Sequence, residues 1–329
     1  MARARPSPGA RAGGDGAAGL QSTTAIPIGA AVEPDLLESD VAYAETLARE
    51  FGSLTPENAM KWALIHPAES DWRWEPADRL VAFARAHGMI VHAHTLVWHR
   101  QLPDWVRAVT PERLGRVLED HVRTLAGRYR GQVASWDVVN EAVTGRGRLR
   151  GTLFLRRLGP RHIADAFRHA HAADPDARLY YNDYGAEGLG RKSNAVFALV
   201  RDLLGSGVPI HGVGLQMHLD AASPPTPSDV AVNVERLAAL GMDVRISEMD
   251  VRIRRIRARD RLAVQRGVYH DILAACLAKP GLAGVSFWGV TDAHSWVDDE
   301  FGEDDPLLFD ALYGRKPAYF GVRDALSGS

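Results

Sequence analysis

The chain has a single cysteine in 329 residues, Cys276, and this excludes an internal disulfide framework. Its setting, the apolar helical run Ile272-Leu273-Ala274-Ala275-Cys276-Leu277, reads as core packing rather than thiol chemistry. No stretch approaches the roughly 20 apolar residues of a membrane span. Excess positive charge is also missing. The 39 Lys and Arg stand against 41 Asp and Glu, a formal charge of −2, which argues against a nucleic-acid partner. Arg3, Arg5 and Arg11 are not followed by an apolar h-region, so no intact signal peptide is read there. Residues 1–24, rich in Ala, Gly, Pro and Arg and lacking apolar periodicity, are expected to form a disordered or flexible leader.

What is present is a large apolar content, 46% of residues, enough for one sizeable core. From residue 25 onward short apolar strands alternate with amphipathic helices. Strands are read at Ile26–Val32, Phe51–Leu54 and Met89–His94, then around Trp136, at Leu179–Asn182 and at Ile210–Gln216. Two more are read from Asp243 into Glu248 and at Leu282–Trp288. Helices are predicted from Pro76 to His87, after Thr110-Pro111 and from about Pro160. Others are predicted over Asn194–Leu204, Pro227–Leu240 and Arg261–Ala278, and after Lys316-Pro317. This alternation predicts a single α/β domain over 25–329, a (β/α)8 TIM barrel.

On such a barrel the chemistry sits at the C-terminal ends of the strands, and the polar residues gather there. Ser135-Trp136-Asp137-Val138-Val139-Asn140-Glu141 is an apolar strand ending in an amide and a carboxylate. Asp243-Val244-Arg245-Ile246-Ser247-Glu248-Met249-Asp250 repeats the design. Charge is normally kept out of buried strands, and two strand-end carboxylates are what cleavage between sugars requires. Glu57, Asn58 and Lys61 follow the second strand, His94 ends the third, and Asn182, Asp183 and Tyr184 follow the fifth. Gln216 and His218 follow the sixth, and Trp288 and Trp296 follow the eighth.

Each group has a plainer reading. Glu141 could pair with Arg146, and Glu248 with Asp250 could form an ion cluster with Arg245 and Arg252. His94 and His218 could be satisfied core histidines. Histidines and carboxylates could also hold zinc, but His92 and His94 share one strand face and no HExxH-like spacing occurs, so no metal and no cofactor is expected. Trp98, Trp288 and Trp296 beside strand-end polar groups suit a sugar-stacking platform. An arginine cluster (Arg252, Arg254, Arg255, Arg257, Arg259, Arg261) and an acidic one (Asp298, Asp299, Glu300, Glu303, Asp304, Asp305) read as solvated loops that partly neutralise each other. The acidic loop lacks EF-hand spacing.

Taken together, Glu57-Asn58-Ala59-Met60-Lys61-Trp62, His94-Thr95-Leu96-Val97-Trp98-His99, Trp136 through Ala142, Asn182-Asp183-Tyr184, Gly214-Leu215-Gln216-Met217-His218, Ile246 through Asp250 and Phe287 through Asp292 resemble the family-10 glycoside hydrolases, the endo-β-1,4-xylanases. The resemblance runs from about residue 25 to the end. It implies a retaining mechanism with Glu141 as acid/base and Glu248 as nucleophile. It also implies that Asn140, Gln216, His218, His94, Lys61, Trp98 and Trp288 line the sugar cleaved at its anomeric carbon. Glu57, Asn58 and Trp296 would then meet the next sugar toward the non-reducing end, and Tyr184 the leaving side. Gly185, Met217 and Ala93 depart from the family pattern, where Asn, a small polar residue and Gly are common.

Retention needs the two carboxyls about 5–5.5 Å apart. Glu141 must carry a proton, and burial with the Glu248 charge nearby would raise its pKa. Glu248 must stay ionised, helped by hydrogen bonds from His218 and Gln216, with Asp250 holding His218. The expected partner is xylan or a xylo-oligosaccharide, with no nucleic acid and no membrane, and a monomer is expected. The rivals are a related retaining enzyme on β-1,4- or mixed-linkage glucan, and a sugar-binding barrel without catalysis. Localisation stays open, since a polymer substrate suggests export and the leader offers no export signal.

Overall fold

Strands apolar along their whole length must be covered on both faces, and parallel pairing with crossover helices supplies that cover. The structure is a computed structural model that describes residues 19–257 and 259–328. Its strands are β1 (Ile28–Val32), β2 (Ser53–Pro56), β3 (Ile90–Val97), β4 (Ser135–Asn140), β5 (Arg178–Asp183), β6 (Gly212–Leu215), β7 (His218–Asp220), β8 (Asp243–Arg252) and β9 (Leu282–Phe287). Pairing is parallel in the order β6-β5-β4-β3-β2-β1-β9-β8, and β6 pairs back onto β8 to close the barrel. Every residue of β1, β2, β4 and β6 is buried.

The predicted eight strands are all present, but the sixth is split. β6 stops at Leu215, Met217 takes φ 63°, and the chain resumes as β7, which pairs with the outer half of β8. The outer helices include Glu75–Ala86, Pro111–Arg128, Arg161–Ala173, Arg191–Gly205, Pro227–Ala238, Arg261–Leu277 and Pro317–Ser327, each within a few residues of its sequence reading. Prolines open three of them, where the missing N–H costs nothing. Cys276 is buried in the core, as read.

Two further features differ from the sequence reading. The crossover helix Val41–Glu50 was not read, because its buried face carries Thr46 and Glu50 beside Tyr43 and Leu47, and this masks the apolar stripe. The leader boundary also moves. Residues 1–18 lie outside the described residues, but 19–24 belong to the barrel's packing. Leu20 in the turn Leu20–Thr23 is fully buried and its N–H donates to Glu50 Oε2 at 3.2 Å, while Ile28 N donates to Gln21 Oε1 at 2.7 Å. One leucine among polar residues leaves no periodicity to read. Glu50 also accepts from Tyr319 Oη at 2.9 Å and from Arg315 at 2.7 Å, so one buried carboxylate ties both ends of the described chain to the barrel.

Candidate active site

At the C-terminal mouth of the barrel a cleft of about 570 Å³ is lined by Glu57, Asn58, Lys61, His94, Trp98, Asn140, Glu141, Tyr184, Gln216, His218, Glu248, Trp288 and Trp296. These are all the predicted site residues except Asp250, which lies fully buried beneath. His99, Arg100, Gln101, Arg150, Arg252, Glu300 and Phe301 complete the lining.

Glu248 ends the inner half of β8 and is nearly inaccessible. Its Oε2 lies 3.1 Å from His218 Nε2, and the other ring nitrogen of His218 lies 2.7 Å from Asp250 Oδ2. Asp250 Oδ2 also accepts from Trp296 Nε1 at 2.8 Å. The ring is thus held between two carboxylates. Burial works against its charge, but Asp250 and Glu248 outweigh that and push its pKa up to about 10. Burial alone would raise the Glu248 pKa too. The hydrogen bond from His218 and the nearby His94 reverse this and hold it below its ordinary value.

Gln216, the expected second donor to Glu248, does not bond to it. Gln216 Nε2 instead donates to Asn140 Oδ1 at 3.0 Å and Glu141 Oε1 at 3.4 Å. Asn182 takes the place beside Glu248, donating from Nδ2 to Oε1 at 2.5 Å and accepting from Ser247 Oγ at 2.6 Å. The reason lies in Gly214, the register partner of Asn182 in β6. A Cβ at Gly214 would collide with the Asn182 amide, so glycine opens the passage by which that side chain crosses β6 to reach β8.

Glu141 follows β4 with φ 60°, a left-handed conformation that costs a non-glycine residue roughly 1–2 kcal/mol. Its N–H donates to Asn182 O at 2.8 Å and its carbonyl accepts from Arg150 Nε at 2.8 Å, which fix the turn. Burial raises its pKa. The Trp98 indole and Gln216 favour the charged form, while the negative Glu248 and Asp183 add to the rise. His99 Nδ1, 4.0 Å from Glu141 Oε2, stays neutral because burial, Arg150 and Arg100 lower its pKa to about 4. Two carboxyls in one cleft are therefore displaced in opposite directions.

Asn140 Oδ1 accepts from both Asn182 (3.2 Å) and Gln216, leaving its Nδ2 as the end available to a ligand. On one side of the carboxyl pair, Lys61 Nζ donates to Asn58 Oδ1 at 2.8 Å and sits 5.0 Å and 5.8 Å from the Trp98 and Trp288 rings. Burial and the Glu33 charge raise the Glu57 pKa to about 8. On the other side Tyr184 stands exposed with Lys192 Nζ 3.7 Å from its ring centroid and Arg150 donating to its hydroxyl at 3.1 Å.

A model of glycosyl hydrolase family 10 matches residues 18–325. The chain belongs to glycosyl hydrolase family 10. It is 44% identical over 288 residues to endo-1,4-beta-xylanase B of Thermotoga neapolitana, covering 86% of this chain and 83% of that protein. It is 40% identical over 281 residues to endo-1,4-beta-xylanase A of Humicola insolens, covering 84% of this chain and 75% of that one. The crystal structure of xylanase 10B from Thermotoga petrophila RKU-1 in complex with xylobiose superposes with a TM-score of 0.92 at 41% identity, covering 97% of this chain and 99% of that chain.

In this family-10 chain the arginine pairings considered for the two glutamates are not formed. Arg146 is exposed and forms no ion pair with Glu141. Buried Arg245 donates to Ser286 Oγ at 3.2 Å, and Arg252 Nε to Leu219 O at 3.3 Å, so neither arginine pairs with Glu248 or Asp250. The two charged loops do interlock, through Arg261–Asp305 at 2.7 Å and through Asp304, which accepts from the backbone N–H groups of Ile253 and Arg254 at 3.1 Å.

His94, Asp137 and Glu248 are a group whose ligand atoms lie close enough to hold a metal ion. His94 Nδ1 lies 2.8 Å from Asp137 Oδ2, and the Glu248 oxygens take Asn182 and His218.

Sequence reasoning missed Asp137, which grips both His92 (3.0 Å) and His94 from one strand face; its signal was a charge inside an apolar run. It also missed Glu187, buried, whose Oε1 accepts from Gly185 N at 2.9 Å and Met217 N at 3.2 Å. Glu187 thus secures two of the positions that depart from the family pattern. Gly185 has φ 65°, a conformation open to Gly and tolerated by Asn.

Proposed function

We propose that this chain is a retaining endo-1,4-β-xylanase in which Glu248 attacks and Glu141 handles the proton. The observation that carries this reading is two carboxyls lining one cleft with different partners: Glu248 lies 3.1 Å from His218 Nε2, which favours its charged form, and Glu141 is buried against Gln216 at 3.4 Å, where burial favours its proton. The Glu248 carboxylate attacks the anomeric carbon while the Glu141 carboxyl gives its proton to the departing glycosidic oxygen. The first product leaves with that proton, and the sugar is held as an ester of Glu248. Esterification removes the Glu248 charge, the Glu141 pKa falls, and its carboxylate takes a proton from the incoming water. That water displaces Glu248 and restores both groups.

The surrounding groups tune these steps. Asp250 and His218 supply Glu248 with a cationic hydrogen-bond donor, which stabilises the anion before attack and its return on release. Asn140, its amide oxygen already occupied, offers Nδ2 to the sugar 2-hydroxyl, a contact that strengthens as the transition state develops. His94, Lys61, Trp98 and Trp288 bound the sugar at the cleavage point. Glu57, Asn58 and Trp296 meet the next sugar toward the non-reducing end, and Tyr184 meets the leaving side. The substrate of this scheme is xylan or a xylo-oligosaccharide.

The test is a product profile from linear xylan, carboxymethylcellulose and xylo-oligosaccharides, with Glu248→Ala as control. Short xylo-oligosaccharides from xylan and none from cellulose, all lost in Glu248→Ala, support the reading. Faster turnover of the glucan points to the glucanase alternative. Products that persist in Glu248→Ala overturn the assignment.

A further inference from the structure

The first strand of the barrel contributes no side chain to the cleft lining. The residue directly after it is Glu33, which lies one layer behind Asn58. Glu57 N donates to Val32 O at 3.1 Å, and this knots the end of β1 to the turn that carries Glu57 and Asn58. Across this knot Asn58 Nδ2 donates to Glu33 Oε1.

That bond decides which way the amide faces. A carboxylate offers only lone pairs, so the NH₂ end of Asn58 must point to Glu33. Oδ1 is thereby turned toward Lys61 Nζ at 2.8 Å and Gln101 Nε2 at 3.4 Å. A flipped amide would set its NH₂ against the Lys61 ammonium and lose both bonds. Arg79 is not available to neutralise Glu33, because it pairs with Asp35 at 2.7 Å, Glu38 at 2.9 Å and Glu75 at 2.8 Å. Burial raises the Glu33 pKa, while Asn58 and Lys61 pull it back.

We propose that Glu33 is a positioning residue: it locks the Asn58 amide in the orientation that receives the sugar one place toward the non-reducing end from the cleaved bond. The proposal rests on the xylanase reading above for the identity of that sugar. Glu33 touches no substrate. Its effect must therefore appear only on substrates long enough to reach Asn58.

The experiment compares kcat/KM on an aryl β-xylobioside, which fills that position, with an aryl β-xyloside, which leaves it empty. Wild type, Glu33→Gln, Glu33→Leu, Asn58→Ala and the Asn58→Ala/Glu33→Leu double variant are measured, with a melting temperature for each. Wild-type turnover of either substrate carries the enzyme reading, and the ratio between the two carries the Glu33 assignment. Glu33→Leu should lower that ratio about tenfold, the scale of one hydrogen bond to a charged group. Glu33→Gln, whose Oε1 still accepts from Asn58, should stay within about threefold of wild type. In the Asn58→Ala background Glu33→Leu should cost less than about twofold more, since its route of action is already gone. Equal losses on both substrates, a Gln variant as poor as Leu, or a full further loss on top of Asn58→Ala would each overturn the proposal. If Glu33→Leu does not fold, Glu33→Ala takes its place, with the same roughly tenfold fall in the ratio expected and an unchanged ratio overturning the proposal.

Discussion

Replacing Asn182 by alanine removes the shortest side-chain donor to Glu248, Nδ2 to Oε1 at 2.5 Å. Its magnitude follows from the burial of both partners. A hydrogen bond to a buried charge contributes about 1.5–3 kcal/mol, and each pKa unit corresponds to about 1.4 kcal/mol. The donor favours the charged form of Glu248, so its loss raises the Glu248 pKa. The acid limb of kcat/KM reports ionisation of the free enzyme's attacking group and should move up, with a loss of about tenfold or more on its acid side, while the rate on its alkaline side falls less. Asn182→Asp should shift the limb further, because a second carboxylate then faces Glu248. The assay is kcat/KM against pH on an aryl β-xylobioside. A uniform fall in rate with the acid limb unmoved would refute the reasoning and reduce Asn182 to a packing residue.

Gly214→Ala should reproduce that shift without touching Asn182, since the new methyl occupies the path of the amide; an unshifted profile would show that another route to Glu248 exists. Glu141→Ala should leave the first step nearly intact on substrates with a good leaving group and depress turnover of xylan strongly; equal losses on aryl glycosides and polysaccharide would contradict the acid/base role.

A fourth prediction concerns stability. His66 Nε2 lies 3.3 Å from the Glu69 carbonyl and so carries a proton, which leaves its Nδ1 to accept from His121 Nδ1 at 3.2 Å. Both rings are stacked among Trp62 and Trp72, and burial lowers both pKa values. The unfolded chain binds more protons than the folded one below the ordinary value of about 6.5. Melting temperature should therefore fall as pH drops through that value, and His121→Phe should flatten the fall. A profile unchanged by the substitution would refute the assignment.

The barrel was legible because its helices and strands carry their periods cleanly: Pro111–Arg128 buries Leu114, Leu118, Val122 and Leu125 at helical spacing. Val41–Glu50 was not, because Thr46 and Glu50 occupy its buried face to serve tertiary partners that sequence does not display. The carboxyl pair stood out as charge at the ends of apolar strands. Its supporting layer was harder to read. Gln216 and Asn182 are both strand-end amides, and which of them reaches Glu248 depends on the absent side chain of Gly214 across the sheet. The split between β6 and β7 depends on the φ of Met217, a residue whose type gives no hint of it. Glu33, Asp137 and Glu187 are single acids whose partners lie on other elements, so only coordinates join them.

The most direct test of the central claim is the anomeric form of the first product, read by proton NMR in the opening minutes of xylo-oligosaccharide cleavage, before mutarotation. Attack by Glu248 followed by water on the opposite face gives the β anomer first. Appearance of the α anomer first would mean that water attacks directly, and Glu248 would not be the nucleophile.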